Sequence, residues 1–329
     1  MRAWTIHELG PYDEVMRLEE VDRPLTAGDD EVLIDVAACG LNFPDLLLAS
    51  GDYQEKPDLP FTVGQEVTGT VAEVGGGVEG LEAGQRVVAL PELGLGGLAE
   101  RTRAKATDVF AIPDWLGDDA GAGMFLVYQT AHVALHRRAA IREGETLLVH
   151  GAAGGVGTAT IQVGKAAGAR VIAVAGGPEK VAVCRELGAD EVIDHQKDDF
   201  VPVVKDLTGG RGADVIFDPV GGDVYERSGK VIAFEGRLLV IGFASGTIPT
   251  PALGYPLVKN FSIVGVHWGL YRRRAPEVIR ETHDALLELA RTGAVAPHLH
   301  ATLPLEDAVE GLRLIADREA TGKVVVHVR

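Results

Sequence analysis

The 329-residue chain is short of cysteine, short of cations and free of long apolar runs, and each shortage excludes something. Two cysteines, Cys39 and Cys184, cannot build a disulfide framework or a four-thiolate zinc site. Lys and Arg number 31 against 48 Asp and Glu, a net charge of −17 with His neutral. A surface that acidic repels a phosphate backbone or an anionic bilayer, which argues against nucleic acid and membranes as partners. No apolar run approaches the ~18 residues of a membrane span. The opening Met1-Arg2-Ala3-Trp4-Thr5 lacks the basic-then-apolar order of a secretory leader. These absences point to a cytoplasmic location. What is present is ordinary globular material, 46% hydrophobic and 24% charged, with length for about two domains.

The texture changes near Asp118. Before it, Glu31 to Ala37 and Val67 to Val74 alternate and are β-branched, Arg86 to Leu90 follows, and Gly75-Gly76-Gly77 and Gly84-Gln85 punctuate them as turns. Asp45 to Ala49 reads as a helical insertion. Ala120 to Leu135 reads as a buried helix. From Thr146 strands and helices alternate: strands at Thr146 to His150, Arg170 to Ala175, Glu191 to Ile193, Ala213 to Asp218, Arg237 to Ile241 and Phe261 to Gly265, with helices to about Gly168 and from Pro178 to Leu187. That alternation implies an α/β fold with a doubly wound parallel sheet covered on both faces. Amphipathic helices at Pro276 to Thr292 and Leu305 to Asp317 and a strand at Lys323 to Val328 close the chain. The layout expected is a β-rich domain of residues 1–120 and 266–329 around an α/β domain of residues 121–265.

Between the first strand of that alternation and its helix lies Gly151-Ala152-Ala153-Gly154-Gly155-Val156-Gly157. The dinucleotide fingerprint G-x-G-x-x-G needs small residues for a tight turn, for backbone approach to the pyrophosphate and for helix–strand packing. Ala152 takes the first glycine position, and Gly154 and Gly157 keep the others. The next strand ends Ala175-Gly176-Gly177-Pro178-Glu179-Lys180, with no acid at the tip to grip a ribose 2′-hydroxyl. Small residues leave room for a 2′-phosphate and Lys180 supplies a counter-charge, so NADPH is favoured, with Glu179 the dissenting residue.

These residues resemble the medium-chain dehydrogenase/reductase superfamily over essentially the whole chain, from Gly28-Asp29-Asp30-Glu31-Val32 to Gly322-Lys323-Val324-Val325. The resemblance implies a GroES-like β-rich catalytic domain beside a Rossmann NADPH-binding domain. Alcohol dehydrogenases of that superfamily hold zinc with a Cys in C-G-x-C-H-T-D and a His in G-H-E. Here Cys39-Gly40-Leu41-Asn42-Phe43-Pro44-Asp45 puts Asn42 at the ligand cysteine, and Gly64-Gln65-Glu66 puts Gln65 at the ligand histidine. Amides are poor zinc ligands, so no metal is expected. Asn42 to Asp45, Gly51-Asp52-Tyr53, Phe125 to Ala131, Asp218 to Gly222 and Gly242 to Gly246 are similar to the zinc-independent quinone oxidoreductase branch. Val266-His267-Trp268-Gly269-Leu270-Tyr271 is similar to its quinone oxidoreductase-like subgroup.

The resemblance implies cofactor contacts from Asn42, Thr130, Ala153, Gly154, Gly155, Val156, Gly157, Gly176, Lys180, His195, Pro219, Val220, Gly242, Phe243 and Lys323. His195 stands where branch members often carry Tyr, and Pro219 where many have Ser. Asn42, Tyr53 and Tyr128 are the catalytic candidates: Asn42 as a hydrogen-bond donor to the acceptor carbonyl, Tyr53 as a proton donor from a loop the resemblance sets at the active site, and Tyr128 on a helix expected along the nicotinamide pocket. Tyr128 also reads as core packing. The expected activity is hydride transfer from NADPH to a quinone or another conjugated acceptor, with an enoyl-thioester reductase as the rival enzyme and a non-catalytic NADPH-binding sensor as the rival of another class. A homodimer joined near Asn260 to Trp268 is implied as well. His298-Leu299-His300 and Arg272-Arg273-Arg274 read as surface features, the latter also as a grip for a coenzyme A phosphate, and Cys39 as an ordinary buried residue.

Overall fold

The computed structural model describes residues 1–22 and 25–329. They form two compact units, Met1–Leu126 with Pro297–Arg329, and Val127–Ala296.

The first unit is built on a sheet ordered Leu299–Pro304, Lys323–His327, Glu31–Gly40, Glu66–Val74, Arg86–Ala89 and Val109–Ala111, with Arg101–Lys105 also paired to Glu31–Gly40. Its ladders are antiparallel except the one joining Leu299–Pro304 to Lys323–His327. Both faces of the central strands are covered, which is why they are β-branched at successive positions: Val324 and Val326 enter one core with Val32, Ile34, Val67 and Leu312, while Val325 packs with Ala38 and Ala122 on the other face. A smaller sheet pairs Arg2–Ile6 with Met16–Glu20 and Phe61–Thr62. The expected helical insertion is the helix Phe43–Ser50, which Gly51 ends in the left-handed conformation (φ 79°).

The second unit carries six parallel strands in the spatial order Glu191–Asp194, Arg170–Ala175, Thr146–Val149, Ala213–Asp218, Ile232–Val240 and Ser262–Gly265. In chain order this is 3-2-1-4-5-6, the dinucleotide-binding arrangement, with its switch point beside Thr146–Val149. Leu148, Ile172, Val174, Ile216 and Leu238 bury one face against Phe200, Val204 and Tyr225.

Two boundaries differ from the sequence reading. Residues 266–296, expected with the β-rich domain, pack in the second unit. The Pro276–Arg291 helix buries Val278, Ile279, Thr282, His283 and Leu286 along one stripe. Gln129 ties it in, donating from Nε2 to the Ile279 carbonyl (2.9 Å) and lying 3.4 Å from the Trp268 indole nitrogen. Residues 121–126 belong to the first unit, where the Leu126 amide donates to Glu66. The helix expected to reach Leu135 is α-helical over Asp118–His132 and continues as a π-helical turn, Val133–Arg138.

Candidate active site

In the second unit, Thr146–Val149 feeds the glycine turn and the helix Gly155–Ala166. A Cβ on Gly157 would lie 2.3 Å from the Gly151 carbonyl oxygen, so only glycine lets helix and turn close up there. A Cβ on Gly154 would meet nothing nearer than 3.5 Å, so the outer side of the turn is open to a ligand. Ala152 and Ala153 are buried beneath it. The amides at the helix start have no partner within the helix and carry the positive end of its dipole. This geometry fits a pyrophosphate.

The tip of Arg170–Ala175 carries no acid, as the sequence indicates, but one stands beside it. Asp194 closes the neighbouring strand opposite Ala175. Its Oδ1 accepts the Gly177 amide (2.9 Å) and the Gln196 amide (3.1 Å). Those bonds, that of Gly177 first, hold its carboxyl below the usual carboxylate range. Asp194 shapes the Gly176-Gly177 turn; sequence reasoning missed it because it ends the third strand rather than the second. His195 lies across Gly176, where a Cβ would come within 2.6 Å of Nε2. Lys180 sits half-buried in the first turn of Pro178–Glu186. At the next turn Asp218, also missed, accepts the Val220 and Gly221 amides (2.8 and 3.0 Å). The Gly242 to Ser245 loop is laid on that turn by Ala244 N to Pro219 O and Ser245 N to Val220 O, both 3.0 Å. Pro219, Val220, Gly242 and Phe243 are therefore brought together, with Gly151 packed under Pro219 and Val220.

In the first unit Asn42 lies at the centre of a buried polar network. Its Nδ2 donates to Glu66 Oε1 (2.8 Å) and the Gly40 carbonyl (3.1 Å), and its Oδ1 accepts from Lys323 Nζ (2.8 Å). Lys323 donates as well to the Leu41 carbonyl (2.8 Å) and Glu66 Oε1 (2.5 Å). Strand pairing builds this: Gly40 is opposite Glu66 on one side and Val325 on the other, so Glu66 and Lys323 flank it. A Cβ at Gly40 would strike the Ala122 carbonyl at 2.1 Å. Asp45 is buried in the first turn of the Phe43–Ser50 helix and accepts the Asn42 and Gly64 amides (2.8 and 3.1 Å). Burial pushes its carboxyl up to about 7 despite those donors.

Two expectations are corrected here. Both Asn42 amide hydrogens are engaged within the network, so Asn42 is not available as a donor to an acceptor carbonyl. Lys323 is 3% exposed with all three ammonium hydrogens engaged, so it acts as the cation of this network and has no hydrogen left for a cofactor. Sequence reasoning also passed over Glu66, which joins Asn42, Lys323 and Leu126; its signal is a carboxylate inside an otherwise apolar strand. The donor set, amides, an ammonium and one carboxylate whose oxygens are already taken by Asn42, Lys323 and the Leu126 amide, does not fit a divalent metal. Among the described residues no group of three or more His, Cys, Asp or Glu side chains is arranged to hold one.

Tyr53 follows the Gly51 turn, its amide bonded to the Leu47 carbonyl, and lines a hollow of about 230 Å³ with Leu9, Leu48, Pro57 and Leu59. Tyr128, by contrast, is 1% exposed and donates its hydroxyl to the Ala296 carbonyl (2.9 Å). Burial raises its pKa, so its geometry is that of a core tyrosine. Thr130, two residues further along the same helix, is half-buried. Cys39 is a buried free thiol. His298 and His300 are half-buried around the Thr321 hydroxyl (3.4 and 3.1 Å) rather than fully on the surface. The arginine run gains company: Arg138 donates to the Gly265 carbonyl (3.1 Å), and the Arg137 guanidinium lies 5.8 Å from the Tyr271 ring centroid.

The two units carry the two halves of a dehydrogenase. Residues 28–114 match the alcohol dehydrogenase GroES-like domain and residues 155–284 the zinc-binding dehydrogenase domain. A quinone oxidoreductase-like protein 2 homolog from Nematostella vectensis is 38% identical over 330 residues, covering 100% of this chain and 89% of the relative. The Escherichia coli quinone oxidoreductase crystal structure, a complex with NADPH, superposes with a TM-score of 0.92 at 29% identity over 100% of both chains. The CurK enoyl reductase superposes with a TM-score of 0.89 at 26% identity over 100% of this chain and 99% of that one. The chain belongs to the medium-chain dehydrogenase/reductase superfamily, within its quinone oxidoreductase-like branch.

Proposed function

We propose that this protein is an NADPH-dependent reductase that delivers hydride to a quinone or other conjugated carbonyl. The observation that carries this reading is the Asn42–Glu66–Lys323 network. An ammonium and amides stand where the superfamily's alcohol dehydrogenases assemble zinc, so the acceptor must already be electrophilic. Bound NADPH supplies hydride from nicotinamide C4. The Gly154 to Gly157 turn would hold its pyrophosphate, His195 and Gly176 its adenosine side, and Lys180 its 2′-phosphate. Tyr53 is the candidate proton donor, with water as the alternative. Most of the rate would come from positioning.

NADPH oxidation with 1,4-benzoquinone and 9,10-phenanthrenequinone tests this. Turnover with NADPH well above that with NADH is expected, and Tyr53→Phe is expected to lower kcat by roughly 10²-fold, the usual weight of a proton donor. A preference for NADH removes the cofactor assignment, unchanged turnover in Tyr53→Phe removes the donor, and tight NADPH binding without turnover of any acceptor leaves the sensor reading in its place.

One observation favours the enoyl-thioester reading. Arg138 reaches the carboxyl end of Ser262–Gly265, the end of the parallel strands at which such sheets bind ligands, and Arg137 lies against Tyr271, which precedes Arg272 to Arg274 in the helix Trp268–Arg274. Guanidiniums suit the phosphates of a coenzyme A tail. Faster NADPH oxidation with crotonyl-CoA than with quinones would favour it.

A further inference from the structure

The loop after the strand Glu191–Asp194 lies on the tip of the strand Arg170–Ala175. Asp194 to Lys197 form a turn, closed by the Lys197 amide on the Asp194 carbonyl (2.9 Å), and its middle residues His195 and Gln196 rest on Gly176 and Gly177. A Cβ on Gly176 would lie 2.6 Å from His195 Nε2 and 3.3 Å from Gln196 Nε2, and one on Gly177 would meet the Gln196 carboxamide at 3.6 Å. Gly177 also takes a positive φ of 88°, which favours glycine. A side chain at this strand tip is thus excluded. In a dinucleotide-binding sheet the tip meets the ribose that carries the 2′-hydroxyl or 2′-phosphate. The side chains presented there come from the neighbouring loop instead. One carboxylate sets both loops: Asp194 Oδ1 accepts the Gly177 amide (2.9 Å) and the Gln196 amide (3.1 Å), so Gln196 is fixed relative to the turn it covers. Asp194 itself is 8% exposed, with Lys197 Nζ 3.3 Å from its other oxygen, so its charge lies under the loop and is balanced there. The Gln196 side chain is on the exposed side.

We propose that Gln196 is a specificity-determining residue for the cofactor, its Nε2 donating to the 2′-phosphate of NADPH. The inference rests on the NADPH reading above and adds a second group to Lys180. Lys180, in the first turn of the Pro178–Glu186 helix, supplies a compact charge on a flexible stem. Gln196 supplies directed N–H groups on a planar head, from a backbone that Asp194 holds in place. A phosphate oxygen accepts such a donor strongly because it is charged. In NADH the same amide meets only a hydroxyl, for which water competes, so its contribution falls on the phosphorylated cofactor. Being neutral, it adds a modest discrimination, less than a guanidinium fork would at the same place. A carboxylate at this position would turn the preference round, accepting from the 2′-hydroxyl and repelling the phosphate.

The test is equilibrium binding with no acceptor present, on wild type, Gln196→Met and Gln196→Glu. NADPH and NADH are titrated by fluorescence, adenosine 2′,5′-bisphosphate and adenosine 5′-monophosphate by calorimetry, and the urea midpoint checks folding. In Gln196→Met, which keeps the length and removes the donor, Kd for NADPH and for the bisphosphate is expected to rise roughly 5-fold to 20-fold, with NADH and the monophosphate held within about twofold. In Gln196→Glu the NADPH Kd should rise by roughly 10²-fold while that of NADH holds or tightens. Both midpoints should hold, because the side chain is exposed and Asp194 holds only the backbone amide. Equal changes for all the ligands would make Gln196 a residue that merely shapes the loop and would overturn the proposal. A Gln196→Met that keeps the wild-type preference for the bisphosphate over the monophosphate also overturns it, and leaves the NADPH reading standing. A wild type that binds the bisphosphate no better than the monophosphate removes that reading, and the proposal with it.

Discussion

Lys323 and Asn42 share one oxygen of Glu66, and the ammonium and carboxylate are 3% and 0% exposed. A buried pair of this kind is weak evidence of net stabilisation, but removing one member leaves an uncompensated charge. Lys323→Met is therefore expected to lower unfolding free energy by about 3–5 kcal/mol, and Lys323→Met with Glu66→Gln by clearly less, measured by urea titration. Asp45 gives a pH signature of its own. Its folded carboxyl sits near 7 against 3.8 unfolded, so the folded state binds the extra proton between those values. Stability from this group is full below about pH 4 and is lost as pH rises through 7. Burial opposes its ionisation most, Glu66 adds to that, and Lys323 favours it. Asp45→Asn should flatten the stability profile between pH 4 and 7, and an unaltered slope would discount the raised carboxyl. The zinc-ligand substitutions Asn42 and Gln65 were legible in the sequence. That the Asn42 amide is engaged in a buried network was not, since it depends on Lys323, which is 281 residues from Asn42 and reaches it only through strand pairing.

At the scale of elements, the glycine turn shows why some of the site could be read directly. Strand, turn and helix are contiguous, so the spacing of Gly154 and Gly157 reports the geometry that uses them. Gly157→Ala places a methyl against the Gly151 carbonyl, and backbone on both sides cannot yield. The substitution should weaken NADPH binding at least tenfold and lower stability by about 1–3 kcal/mol, read by fluorescence titration and urea midpoint. An alanine that is tolerated in both would mean that the helix shifts, and the turn would then not be rigid enough to organise a pyrophosphate. The parts that could not be read are those made by non-adjacent elements. Asp194 supports the Gly177 turn from the next strand. Gln129 and Trp268 hold the Pro276–Arg291 helix in the second unit, which moved the expected boundary from 265 to 296. Tyr128 carries the same letter whether it faces a ligand or the Ala296 carbonyl; only packing separates the two.

At the scale of the whole molecule, charge and edge strands act against each other. A homodimer, which the resemblance implies, would have its edge in the second unit. Among the described residues Ser262–Gly265 closes the six-stranded sheet with a neighbour on one side only, and an unpaired strand edge is a template for a second copy. Phe234, on the neighbouring strand Ile232–Val240, and Leu257 and Val258, on the helix Gly254–Lys259 just before the edge strand, are 69%, 77% and 82% exposed, apolar surface that water does not favour. Two such edges related by a twofold axis would join the sheets of two copies and cover these side chains together. Opposing this, each copy carries −17. Like charges on two approaching molecules repel over about 8 Å at physiological ionic strength, and added salt shortens that reach. Association should therefore tighten as NaCl rises from about 20 mM to 300 mM, the reverse of an interface made by ion pairs. Light scattering is expected to give twice the 34.7 kDa chain mass at high salt, and Val258→Asp with Phe234→Asp to give the single-chain mass at every salt concentration. A dimer that weakens with salt would move the contact to a charged face, and a monomer throughout would leave the Ser262–Gly265 edge unpaired in solution.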